Sequence, residues 1–171
     1  MTDFNSLFQI AFQSHQQGDL EKAEKLYQEL LNHDPNDAQI AYLLGVLKTQ
    51  QEDYLLALDW MKRSIILKPT KEAYQAMGEL FQGLGHIQEA KHSFRESIKL
   101  DSSHIQSYFN LGLLFQYEDQ LEQALIYYQK ALQLNPNFTQ VYNCLGTVYH
   151  LLARYDEAIE SLQQVVRLEP C

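Results

Sequence analysis

The sequence predicts an all-α protein, an α-solenoid of five tandem helix pairs. Three observations predict it. A glycine recurs at Gly45, Gly78, Gly112 and Gly146, at spacings of 33, 34 and 34 residues. An alanine recurs at Ala23, Ala57, Ala90, Ala124 and Ala158, at spacings of 34, 33, 34 and 34. All four prolines, Pro35, Pro69, Pro136 and Pro170, fall twelve residues after one of those alanines. A fixed period near 34 residues is the mark of a repeat array, in which each unit buries its apolar face on its neighbours. Proline cannot continue a helix and biases the preceding residue away from helical geometry. Its confinement to one phase says that the same helix ends at the same place in each repeat.

The repeats run over about residues 4–37, 38–70, 71–104, 105–138 and 139–171. In each, a first helix covers the glycine and a second carries the alanine. The first repeat is the loosest: Ala11 stands at the glycine phase, with Leu7 and Ser14 in places that are aromatic elsewhere. Gly18 marks its turn and Pro35 its end. The second reads "LGVLKTQQEDYLLA" from Leu44, and the third "MGELFQGLGHIQEA" from Met77, with Gly83 and Gly85 in the turn. The third has Ser102 in place of proline, and Asp101, Ser102 and Ser103 are expected to cap the next helix. In the fourth, Tyr108, Leu111 and Phe115, then Leu121, Ala124, Leu125, Tyr128, Ala131 and Leu132, mark two amphipathic faces. The fifth repeats them with Tyr142, Leu145, Tyr149, Ala158 and Leu162.

Glycine weakens a helix by roughly 1 kcal/mol, so its recurrence inside the first helix needs a compensating contact. Two antiparallel helices approach closely only where side chains are small. Gly112 and Ala124 are therefore expected to touch, and the same holds for the other repeats. Gly45, Gly78, Gly112, Gly146 and the five alanines are thus structural.

At 46% hydrophobic and 12% aromatic residues, the chain can bury a core. A net charge of −9 repels phosphate backbones, so no nucleic-acid partner is expected. No apolar run is long enough to span a membrane. The N-terminus "MTDFNSLFQIAFQSH" has no basic stretch followed by a long apolar one, hence no secretion signal. Cys144 and Cys171 make no disulfide framework. These absences lead to the expectation of a cytoplasmic protein.

Together, these residues resemble the tetratricopeptide repeat family along essentially the whole chain. Its pattern is an aromatic, Leu-Gly, an aromatic, Ala, an aromatic and Pro. The fourth repeat supplies Tyr108, Leu111, Gly112, Phe115, Ala124, Tyr128, Ala131 and Pro136. The fifth supplies Tyr142, Leu145, Gly146, Tyr149, Ala158, Leu162 and Pro170. The resemblance implies a single array over residues 1–171 that winds as a right-handed superhelix. It implies a non-catalytic scaffold for a protein or peptide, held in a concave groove lined by the first helix of each pair. Carried over by position, the groove residues are Phe8, Phe12, Tyr42, Leu43, Val46, Gln75, Glu79, Gln82, Phe109, Asn110, Leu113, Gln116, Asn143 and Thr147. Relatives that bind chaperone C-termini hold a carboxylate with a lysine and asparagine clamp. Here the matching places are Phe8, Phe12, Leu43, Glu72 and Ala76, which argues against a carboxylate-terminated ligand.

No HExxH, phosphate-loop or nucleophile-elbow pattern occurs. His86, Glu89 and His92 drift around a helix axis and read as a solvated polar face. No enzyme activity, cofactor or metal is expected. The last helix carries Ile159, Leu162, Val165 and Val166 with no further repeat to cover them. That leads to two further expectations: a piece of a longer chain, or self-association through this end. A variant of the former is a repeat segment preceding a glycosyltransferase or methyltransferase, as in some bacterial enzymes.

Overall fold

A computed structural model describes residues 4–169. Pro170 and Cys171 lie outside the described residues. Among the described residues the chain forms ten α-helices and no strand. They are α1 (Phe4–Gln16), α2 (Leu20–His33), α3 (Ala38–Gln50), α4 (Tyr54–Leu67), α5 (Lys71–Gly83), α6 (Ile87–Leu100), α7 (Ile105–Tyr117), α8 (Leu121–Leu134), α9 (Thr139–Leu151) and α10 (Tyr155–Leu168). The chain divides after His86 into two compact units. In the first, α1 pairs with α2 and α3 with α4, and α5 packs on α3 and α4. In the second, α7 pairs with α8 and α9 with α10, and α6 packs on α7.

Each first helix ends in the same way. The residue after its last turn is left-handed: Gly18, Glu52, Gly85, Asp119 and Ala153, with φ of 79°, 61°, 76°, 58° and 58°. The following amide reaches back five residues, as in Asp19 N–H to Ser14 C=O at 3.0 Å and Arg154 N–H to Tyr149 C=O at 2.8 Å. The double closure satisfies carbonyls that the helix leaves open. Only two of the five positions are glycine, the residue that tolerates this geometry without strain.

The second helices end just before Pro35, Pro69 and Pro136. Short polar side chains start several helices. Asp37 Oδ1 accepts from the amides of Gln39 and Ile40 at 2.8 and 3.0 Å, and Thr70 Oγ1 from Ala73 at 3.2 Å. The cap expected from Asp101, Ser102 and Ser103 is not formed by them. His104 holds the cap position. Asp101 instead closes the preceding turn, accepting from the amide and hydroxyl of Ser103.

The recurring alanines lie inside: Ala23, Ala57, Ala90 and Ala124 are fully buried and Ala158 nearly so. The recurring glycines do admit close approach, but their principal neighbour is not the alanine. A Cβ at Gly112 would meet Cδ1 and Cε1 of the Tyr128 ring. At Gly45 it would lie 2.7 Å from Cγ of Met61, and at Gly146 3.0 Å from Leu162. In these three repeats the residue sixteen positions after the glycine lies over it. The alanine contributes its backbone: Ala57 and Ala158 carbonyl oxygens lie 3.4 and 3.7 Å from the same points at Gly45 and Gly146.

In the first unit, Leu7, Ala11, Tyr27, Leu30, Ile40, Leu44 and Leu47 form one buried cluster. In the second, Leu111, Leu114, Tyr128, Val141 and Val148 are fully buried.

Candidate functional site

Each unit has a buried tyrosine hydrogen-bonded across a helix pair. In the first unit His15, on α1, is 8% exposed and lies between Tyr27 on α2 and Gln50 on α3. The Tyr27 hydroxyl and His15 Nδ1 are 3.2 Å apart, and Nε2 lies 3.2 Å from Gln50 Oε1. With the ring neutral, the hydroxyl donates to Nδ1 and Nε2–H donates to the amide oxygen. Burial holds the imidazole below its ordinary 6.5, partly offset by the Gln50 hydrogen bond. Burial likewise pushes the Tyr27 hydroxyl up to about 12. In the second unit the Tyr128 hydroxyl donates to Gln116 Oε1 at 2.7 Å. The Cys144 thiol lies near it. Burial pushes the Cys144 thiol up, the opposite of what a nucleophile needs.

Beside His15 and Gln50, α3 and α5 leave an open cleft of about 600 Å³, within the range of ligand sites. Tyr42, Val46, Thr49 and Gln50 line it from α3, Tyr54 and Met61 from α4, and Ala76, Glu79, Leu80 and Gly83 from α5, with Leu84 beyond. A smaller cleft of about 280 Å³ lies on the other side of Tyr42, against Gln39, Ser64, Lys68, Thr70 and Glu72. Tyr42 thus separates the two. Burial raises its hydroxyl first, and the carboxylates of Glu72 and Glu79 raise it further. Gln75 Nε2 donates to Glu79 Oε1 at 2.8 Å.

Of the groove residues expected from the sequence, Tyr42, Val46 and Glu79 line this cleft. Gln75 and Gln82 sit half-buried on the same helix. Leu43 is 8% exposed and belongs to the core cluster. Phe8 packs on that cluster, with Phe12 stacked on it at 6.1 Å and more exposed. In the second unit Phe109 lies between Tyr128 and Phe138, ring centroids 6.2 and 5.1 Å away. Asn110 is 6% exposed and accepts a hydrogen bond from Gln106 at 3.3 Å. Leu113 and Gln116 are half-buried, and Asn143 and Thr147 are exposed. The sequence did not single out Tyr54, Met61, Leu80 and Leu84. Tyr54 and Leu84 flank the interhelix turns, where helical periodicity carries no signal.

Among the described residues, no three His, Cys, Asp or Glu side chains gather as a metal site. Among the described residues, no buried side-chain nitrogen or oxygen lacks a hydrogen-bond partner. Among the described residues, no helix is long and apolar enough to cross a membrane.

Four family profiles, each described as tetratricopeptide repeat, match residues 16–72, 71–104, 105–138 and 127–160. Human tetratricopeptide repeat protein 7A is 30% identical over 87 residues, which is 50% of this chain. The match spans only 10% of that protein's length. Among solved structures, MamA from Desulfovibrio magneticus RS-1 superposes with a TM-score of 0.84 at 22% identity, covering 96% of this chain and 94% of that one. YrrB, described as a TPR protein with an unusual peptide-binding site, superposes with a TM-score of 0.77 at 19% identity, covering 99% and 88%.

Proposed function

Because the chain belongs to the tetratricopeptide repeat family, we propose that it is a non-catalytic scaffold that docks a peptide or helical protein segment. The observation that carries this reading is the open, largely apolar cleft between α3 and α5. It lies where the family resemblance puts the binding helices, and YrrB, of similar fold, is described with a peptide-binding site. An apolar cleft ringed by a few polar groups suits the anchor side chains of a bound segment. Burial pushes the Cys144 thiol up, which counts against its use as a nucleophile. A protein partner, rather than nucleic acid, fits the charge of −9.

The test is a binding titration of the chain and of Tyr42→Ala and Val46→Glu, with helicity followed by circular dichroism. Both variants should lose binding and keep their helical signal. Binding that survives both removes the cleft from the account.

A second reading is self-association. It is favoured by α10, on which Ile159, Leu162 and Val166 are exposed and line a shallow apolar surface. Mass that rises with concentration, and falls back with Ile159→Lys, would support it.

A further inference from the structure

The α3–α5 cleft is chemically lopsided. Its floor is Val46, Met61, Ala76 and Leu80. Thr49 and Gln50 border it on α3, and Glu79 borders it on α5. No Lys or Arg is among the lining residues. Glu72 lies seven residues before Glu79 on α5, on the same face of the helix. The field of both carboxylates reaches α3, where it acts on the Tyr42 hydroxyl after burial has already raised it. Lys71 is 3.9 Å from Glu72, and Lys68 lines the smaller cleft beyond Tyr42. A ligand carboxylate entering the larger cleft would meet like charge, whereas a ligand cation would meet Glu79 at the border of an apolar floor.

Resting on the docking reading above, we propose that the occupant of this cleft is a peptide segment bearing an apolar anchor side chain with a Lys or Arg within one helical turn of it. The anchor fills the floor between Val46, Met61 and Leu80 and supplies most of the affinity. The cation sits against Glu79 and supplies the choice between ligands. Glu79 is exposed, so this preference is modest, about three- to fivefold per charge pair, and weakens as salt rises.

The test is selection from a random displayed peptide library on the full chain, counter-selected on Ala76→Phe, which fills the floor. Selection on Glu79→Lys runs in parallel, with its helicity checked by circular dichroism. The expected result is enrichment of peptides with an aromatic or aliphatic anchor next to Lys or Arg. On Glu79→Lys the enriched flanks should turn to Asp or Glu. Peptides that bind wild type, fail on Ala76→Phe and show no basic flank overturn the proposal while leaving the docking reading in place. The same holds if flanks are unchanged on Glu79→Lys. No peptide distinguishing wild type from Ala76→Phe overturns both.

Discussion

Gly112 lies under the ring of Tyr128, so close that a single added carbon would meet Cδ1 and Cε1. The ring cannot retreat, because it is fully buried and its hydroxyl is tied to Gln116. Alanine at this position gains roughly 1 kcal/mol of helix propensity but overpacks a rigid neighbour at about 1–3 kcal/mol. Gly112→Ala is therefore expected to lower stability in urea unfolding. Gly146→Ala should be near neutral, because Leu162 is 47% exposed and can turn outward. Gly45→Ala should fall between, against the flexible but buried side chain of Met61.

The left-handed residues give an opposite prediction. Glu52, Asp119 and Ala153 each hold a positive φ that their Cβ disfavours. Replacing Ala153 or Asp119 by glycine should raise stability by about 0.5–1 kcal/mol, the strain relieved less the entropy glycine adds to the unfolded chain. Gly18→Ala, at the same phase, should lower it by about 1 kcal/mol. Thermal unfolding of the three variants checks the sign of each.

His15 makes the stability of the first unit depend on pH. Its folded pKa is lowered by burial below 6.5, so the unfolded chain binds the proton more readily. The stability it contributes is complete above the unfolded value. It is lost as pH falls through 6.5 toward the folded value. Comparing urea midpoints at about pH 7.5 and about pH 5.5, the loss should be smaller in His15→Asn than in the wild type.

A buried ion pair holds α6 to the end of α7. Lys91, 3% exposed, pairs with Glu118 and lies 3.8 Å from the centroid of the Phe115 ring. Removing Glu118 strands a buried ammonium, whereas removing Lys91 leaves a carboxylate that water can reach. Glu118→Ala should thus cost more than Lys91→Met, toward about 3 kcal/mol against about 1. Equal losses in a double-mutant cycle would show that the ammonium finds another acceptor.

The repeat period and the helix pairs were legible because 34-residue spacing and proline placement act through chain geometry alone. The partner of each glycine was not. Ala124 and Tyr128 lie four residues apart on one face of α8, so spacing cannot say which meets Gly112. The smaller residue looked the better fit, but the large ring is what the glycine admits. The turns at Glu52, Asp119 and Ala153 carry no glycine, so composition does not mark the left-handed residue there. Position along the first helix named Tyr42, Val46 and Glu79, which line the α3–α5 cleft. It also pointed to Leu43 and Asn110, which their own units bury. Helical phase gives a direction, not the depth of what stands there.

The most direct measurement is chemical-shift mapping of the isotope-labelled chain with a peptide recovered by the selection. The account predicts perturbed amides on α3 and α5 around Tyr42, Val46, Ala76 and Glu79. Perturbation confined to the exposed side of α4, at Lys62 and Ile66, or to α10 would contradict it.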